Sequence, residues 1–380
     1  MTTQFKSVHQ ILQEGGNVKI GDIEADRIDL TIHDRDKVVP VLDTALQEIS
    51  KAFKKMNGLS LWEPKTLKSK EFLSGSAFHF FNMKEIDTHL FTTKKPTVGD
   101  IDTMVDVSLT PMVEKFLIES VGKTFGDLTL VGHKNSSGQF ISLWYSKTFD
   151  INIQIDLEML DYHEGKPSNW AKFSHSSHWD DMQEGIKGVA HKFLIQSLAA
   201  DKKEPIITIK KPTMGKSGKL GKPGQPTETD KTKLAFSVQK GLRVRFHPRF
   251  GPDGKIEMMN GKPVYDEEDS KESVYTTELE NIFSIYFERE PKPEEVKLMS
   301  SFVGTVSLVK KYKSHQQIKD IVDDFAERFF GETAQQIVKD SGAKDLNEKL
   351  PGILYICDKL GLDAKQYREG IIKDYYMGRP

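Results

Sequence analysis

Gly99-Asp100-Ile101-Asp102 decides how this chain is read. On a strand, two carboxylates one residue apart point to the same face, where one divalent cation can bridge them. Downstream, Ile151-Asn152-Ile153-Gln154-Ile155-Asp156-Leu157-Glu158 alternates apolar and polar residues. That period places Asn152, Gln154, Asp156 and Glu158 on one face and the isoleucines and Leu157 in the core. Upstream, Phe72-Leu73-Ser74-Gly75-Ser76 reads as a strand end turning into a helix, and Pro96 stops any helix before the acidic strand.

Around these three elements the pattern predicts an α/β (α+β) core, a mixed β-sheet flanked by helices. Val38, Val41, Leu42, Ala45, Leu46, Ile49 and Phe53 recur at helical spacing, with Asp36 as the expected cap. Pro111 to Val121 reads as a second helix. Leu128-Thr129-Leu130-Val131 and Phe140 to Tyr145 bracket a hairpin loop at Asn135-Ser136-Ser137-Gly138, and Gln183 to Ala200 reads as a closing helix. The expected organisation is an N-terminal arm over 1–35, the core over 36–200, a basic loop and strand region over 201–250, and a mainly helical region over 251–380. Lys202 through Lys222 is rich in lysine, Gly and Pro and is read as a loop.

Composition narrows the classes. Of 380 residues, 54 are Lys or Arg and 56 Asp or Glu, a net charge of −2, so nothing pulls the whole chain toward nucleic acid or membrane. The single cysteine, Cys357, excludes an internal disulfide and a cysteine-built zinc site and is expected to be buried. No run reaches the ~18 apolar residues of a membrane span, which with the cysteine usage points to a cytoplasmic protein without a membrane partner. The oligomeric state is not legible.

Carboxylates on adjacent strands suit phosphoryl transfer, in which charge builds on phosphoryl oxygens and the protein places divalent metals and reactants. Asp100, Asp102 and Asp156 would serve as metal ligands for Mg²⁺, with Mn²⁺ an alternative. Gly75 and Ser76 would offer phosphate a close backbone approach at a helix N-terminus. Lys94, Lys95 and Lys187 are further candidates for binding the nucleotide as point charges. Lys210, Lys211, Lys216 and Lys219 with Arg243, Arg245 and Arg249 could track a phosphate backbone, and Phe236, Phe246 and Phe250 could stack bases; a solvated loop beside core phenylalanines fits the same residues.

Gly75-Ser76, Gly99-Asp100-Ile101-Asp102 and Asp156 together resemble the signature of the DNA-polymerase-β-like nucleotidyltransferase superfamily, over about residues 60 to 200. The resemblance implies that Gly75 and Ser76 hold an NTP triphosphate, that Asp100 and Asp102 bind two Mg²⁺ ions, and that Asp156 binds the catalytic one and helps activate an acceptor hydroxyl. The chain also looks like a group of phage-encoded nucleotidyltransferases through Gly15-Gly16-Asn17-Val18, Lys94 to Asp100 and Trp170 to Ser176, which would place it in a host cytoplasm. Twenty-three residues separate Ser76 from Asp100, more than the superfamily's usual interval. An inserted helix, or a phosphate loop at Thr92-Thr93-Lys94-Lys95 instead, would account for that. The expected activity is NMP transfer from an NTP to a nucleic-acid hydroxyl such as an RNA 3′ end. A protein or small-molecule acceptor, or a non-catalytic nucleotide-binding protein, stand as alternatives.

Overall fold

A computed structural model describes residues 18–83, 85–94, 96–136, 138–175, 178–186, 188–200, 203–210, 222, 224–232, 234–237, 241–244, 246–267, 276–341, 351–367 and 369. The chain divides into two compact units, one of residues 1–188, 334–352 and 374–380, the other of 189–333 and 353–373.

The first unit opens with a hairpin of β1 (Lys19–Ile20) and β2 (Ile23–Glu24), then β3 (Ile28–Asp29) and helix α1 (Arg35–Asn57). The cap of α1 is Asp34 rather than Asp36: its carboxylate accepts the Asp36 N–H at 3.0 Å, which leaves Asp36 as an acidic first-turn residue. Helices α2 (Pro64–Ser69), α3 (Gly75–Asn82) and α4 (Glu85–Lys94) follow. The alternative phosphate loop, Thr92-Thr93-Lys94-Lys95, is therefore helical as far as Lys94, one residue short of the position that Pro96 disfavours for a helix. Next come β4 (Thr97–Val98), β5 (Asp100–Asp106), α5 (Thr110–Ser120), β6 (Thr124–Phe125), β7 (Leu128–Ser136), β8 (Gln139–Ser146) and β9 (Ile151–Leu160). A small hairpin of β10 (Tyr162–His163) and β11 (Lys166–Pro167) leads to α6 (Asn169–His175) and α7 (Trp179–Gln183).

The central sheet is mixed, in the order β5-β9-β8-β7-β6, with β5 parallel to β9 and the remaining pairs antiparallel. Phe72–Ser74 extends it past β5: Leu73 bridges Thr103, the Ser74 N–H donates to the Asp102 carbonyl at 3.0 Å, and the Met104 N–H donates to the Phe72 carbonyl at 2.6 Å. One sheet face carries Ile101, Val105, Phe140, Trp144, Ile153, Ile155 and Leu157 into the core, where the apolar stripes of α1 (Val38, Leu42, Leu46, Phe53) and α5 (Val113, Phe116, Leu117) meet them. Edge-to-face contact between Phe53 and Phe116, centroids 5.4 Å apart, ties the two helices together. With one face fully occupied by the core, register is fixed and the polar set of β9 is held on the other face.

In the second unit α8 (Gly188–Ala200) is followed by β12 (Lys203–Lys210), β13 (Thr227–Thr232), β14 (Leu234–Ser237), β15 (Gly241–Val244), β16 (Phe246–Pro248), β17 (Met258–Met259) and β18 (Lys262–Glu267). Strands β13-β12-β18-β16 form a sheet, β12 and β18 parallel within it. Helices α9 (Leu279–Phe287), α10 (Pro293–Met299), α11 (Phe302–Tyr312), α12 (His315–Ser341) and α13 (Pro351–Leu360) follow. The lysine-rich stretch read as a loop is thus a strand over Lys203–Lys210, because Ile206-Ile207-Thr208-Ile209 outweighs its lysines. Cys357 is buried. No helix among the described residues is long and apolar enough to cross a membrane.

Candidate metal centre

Parallel pairing of β5 and β9 sets Asp102 directly beside Asp156 and Asp100 beside Gln154. Paired residues share a face, so Asp100, Asp102, Gln154, Asp156 and Glu158 all stand opposite the core. One carboxylate oxygen from each of Asp100, Asp102 and Asp156 lies within 4.8 Å of the others. A hard cation with oxygen bonds of ~2.1–2.6 Å spans ligand oxygens ~4–5 Å apart, so this set of oxygens fits a divalent cation. Asp156 is the most enclosed, at 6 % exposure.

Gly75 closes the site from the sheet edge. Its φ of +57° lies in the left-handed region, and a Cβ there would stand 2.3 Å from Oδ2 of Asp102. The backbone at the start of α3 is therefore packed against the Asp102 carboxylate, and only glycine fits. Ser76, 8 % exposed, is the next residue. The two motifs that lie twenty-three residues apart in sequence are brought into contact by the edge pairing of Phe72–Ser74 with β5.

The carboxylates are held from below and from the sides. Gln154, 1 % exposed, donates its amide to both oxygens of Asp156 at 2.9 and 3.0 Å. Thr103 donates its hydroxyl to the Asp156 carbonyl at 2.8 Å. Glu158 accepts from the Ser74 hydroxyl at 3.3 Å and lies 3.8 Å from Nε2 of His175, whose Nδ1 is hydrogen-bonded to Ser174 Oγ at 2.9 Å. Ser74 thereby links the glycine loop to the strand of Asp156. Across the sheet, pairing runs Asp102–Asp156–Ile141–Lys134, a single row on the same face that ends on an exposed lysine.

Burial pushes the Asp156 carboxyl up to about 7, with the charges of Asp100 and Glu158 adding to it and the Gln154 amide and Lys134 opposing it. The folded protein therefore keeps this proton above pH 3.8, where the unfolded chain releases it, and stability falls as pH rises from about 4 to about 7. Asp156→Asn, neutral at every pH, is expected to exceed the wild type in unfolding free energy by ~1–4 kcal/mol at pH 8 in a chelator. The difference should vanish near pH 4. Urea unfolding of both proteins across that range measures it, and a gap independent of pH would contradict this assignment.

Of the positions read from sequence, Asp100, Asp102, Asp156, Gly75 and Ser76 come together. Lys94 ends α4, while Lys95, Lys187, Gly15–Asn17 and Ser176 lie outside the described residues. In the second unit Arg243 is 5 % and Phe246 1 % exposed, so neither is available to touch a nucleic acid. Arg249 Nε lies 3.4 Å from Asp266 and 3.8 Å from Glu257. Lys211, Lys216, Lys219 and Arg245 lie outside the described residues. No sequence pattern singles out Lys134 or the Gln154 amide bonds, although the period of β9 places Gln154 on the face of Asp156.

No family model, curated protein or solved structure matches this chain.

Proposed function

We propose that the first unit is a nucleotidyltransferase that moves an NMP group from an NTP to a hydroxyl. The observation that carries the reading is the contact of the Gly75 backbone with the Asp102 carboxylate inside a three-carboxylate cluster. It sets a backbone that admits no side chain, at the start of a helix, beside a site for divalent cations, the combination a triphosphate requires. In this reading Asp100, Asp102 and Asp156 would hold two Mg²⁺ ions, which would neutralise charge on the phosphoryl oxygens. Backbone N–H groups at Gly75 and Ser76 hold the phosphates in line. The acceptor oxygen bonds to the α-phosphorus, the bond to the β-phosphate oxygen breaks, pyrophosphate leaves, and Asp156 accepts the hydroxyl proton.

Lys134 favours an anionic acceptor. It ends the row that starts at Asp102, two strands beyond Asp156, and its charge is felt at that carboxylate. Two strand spacings, ~10 Å, separate the two backbones, a span that a lysine stem and a nucleotide phosphate can bridge. Incubation with each α-labelled NTP, Mg²⁺ and RNA, DNA or protein identifies the acceptor. Label is expected on nucleic acid, with Lys134→Glu raising the acceptor KM about tenfold and the NTP KM by less. Label on protein would move the acceptor to that class. NTP binding without transfer to any fraction would favour a non-catalytic nucleotide-binding protein.

A further inference from the structure

We infer that Gln154 is a positioning residue through which the N-terminal hairpin sets the orientation of Asp156. The inference rests on reading the Asp100–Asp102–Asp156 cluster as a cation site. The Val18 N–H donates to Gln154 Oε1 at 3.3 Å, and Gln154 Nε2 donates to Oδ1 and Oδ2 of Asp156 at 2.9 and 3.0 Å. Both ends of the amide are thereby assigned. Turned over, it would set its oxygen against the carboxylate and its NH₂ against the Val18 N–H, losing every bond at once. The amide is 1 % exposed, so water does not substitute for either partner.

Val18 is itself fixed to the same sheet face. Its carbonyl accepts the Ala25 N–H at 3.0 Å, closing the β1–β2 hairpin, and the Asp26 N–H donates to the Asn152 carbonyl at 2.7 Å while the Asp26 carboxylate accepts the Asn152 N–H at 2.8 Å. Ile20 lies over Gly132 of β7, where a Cβ would stand 3.0 Å from its Cγ2. The hairpin is therefore seated on the polar face at β7 and β9. Its one hydrogen bond to Gln154 leads, through a single side chain, to a metal-binding carboxylate. Groups that hydrogen-bond a ligating carboxylate fix its orientation, and their loss weakens cation binding about 10–100-fold.

Linkage makes the effect reciprocal: if the hairpin orients Asp156, a cation that fixes Asp156 must also fix the hairpin. The test is hydrogen–deuterium exchange of the peptide spanning Val18–Ala25, with and without MnCl₂, alongside calorimetric Mn²⁺ titration, on the full chain. In the wild type Mn²⁺ should slow exchange there several-fold. Gln154→Met, close in shape but without the amide, should bind Mn²⁺ about 10–100-fold more weakly and lose the exchange response. Val18→Pro, which removes only the N–H donor and leaves Gln154 in place, should shift both readouts in the same direction by less. Its agreement with Gln154→Met separates lost positioning from a damaged core. Mn²⁺ binding to the wild type with unchanged exchange, or undiminished Mn²⁺ affinity in Gln154→Met, would overturn the coupling and leave the cation site standing. Absence of Mn²⁺ binding to the wild type would overturn the cation site and the coupling with it.

Discussion

Asp102→Asn is expected to reduce nucleotidyl transfer by about 10³-fold or more, equivalent to ~4 kcal/mol of transition-state stabilisation. Asp102 occupies the centre of the arrangement. It pairs with Asp156 across the parallel ladder, shares its face with Asp100 and lies under the Gly75 backbone. An amide keeps the shape and one acceptor oxygen but removes the negative charge that attracts a hard cation. The fold should survive, because the core-facing neighbours Ile101 and Thr103 are untouched and the edge pairing uses the Asp102 carbonyl, not its side chain. Calorimetric Mg²⁺ titration checks the binding half of this expectation, which would show as a loss of affinity with little change in thermal unfolding.

Gly75→Ala is the second large effect and separates geometry from charge. The added methyl must displace Oδ2 of Asp102, 2.3 Å away, and the left-handed φ of +57° costs a further ~1–2 kcal/mol. A carboxylate moved by ~1 Å from its working position costs about 10²-fold in rate. Gly58→Ala is the matched control, since Gly58 also has a left-handed φ, +76°, with nothing within 4 Å of the built Cβ. The control should lose comparable backbone stability and keep its activity. Transfer rates and melting temperatures of the two variants, measured together, check the difference; equal activity loss in both would show that backbone strain alone, not the Asp102 contact, is responsible.

The acidic triad was legible because strand alternation has a period of two, and the isoleucines of β9 leave no choice of face for Asp156. The seating of Gly75 against Asp102 was not legible from spacing. It depends on Phe72–Ser74 pairing with the edge of β5, a contact between segments with two helices between them. Lys134 was hidden by a bulge: Leu128 and Leu130 face the core, and the register shift between Leu130 and Gly132 turns the next even positions to the opposite face. Strict alternation would have buried Lys134 with the leucines. In the second unit the lysines of 202–222 masked the β-branched run of Ile206 to Ile209, and the interspersed arginines suggested an exposed surface where Arg243 is in fact enclosed. Composition reports the average of a segment, whereas burial is decided residue by residue.

The central claim is that the carboxylates beside Gly75 perform nucleotidyl transfer. Single-turnover transfer of an α-labelled NTP by the wild type and by Asp102→Asn, with Mg²⁺ and nucleic acid, tests it most directly. The expected result is covalent label from the wild type and a loss of about 10³-fold in the variant, with both proteins folded. Equal labelling by the two, or no covalent label from a wild type that binds the NTP, would contradict it.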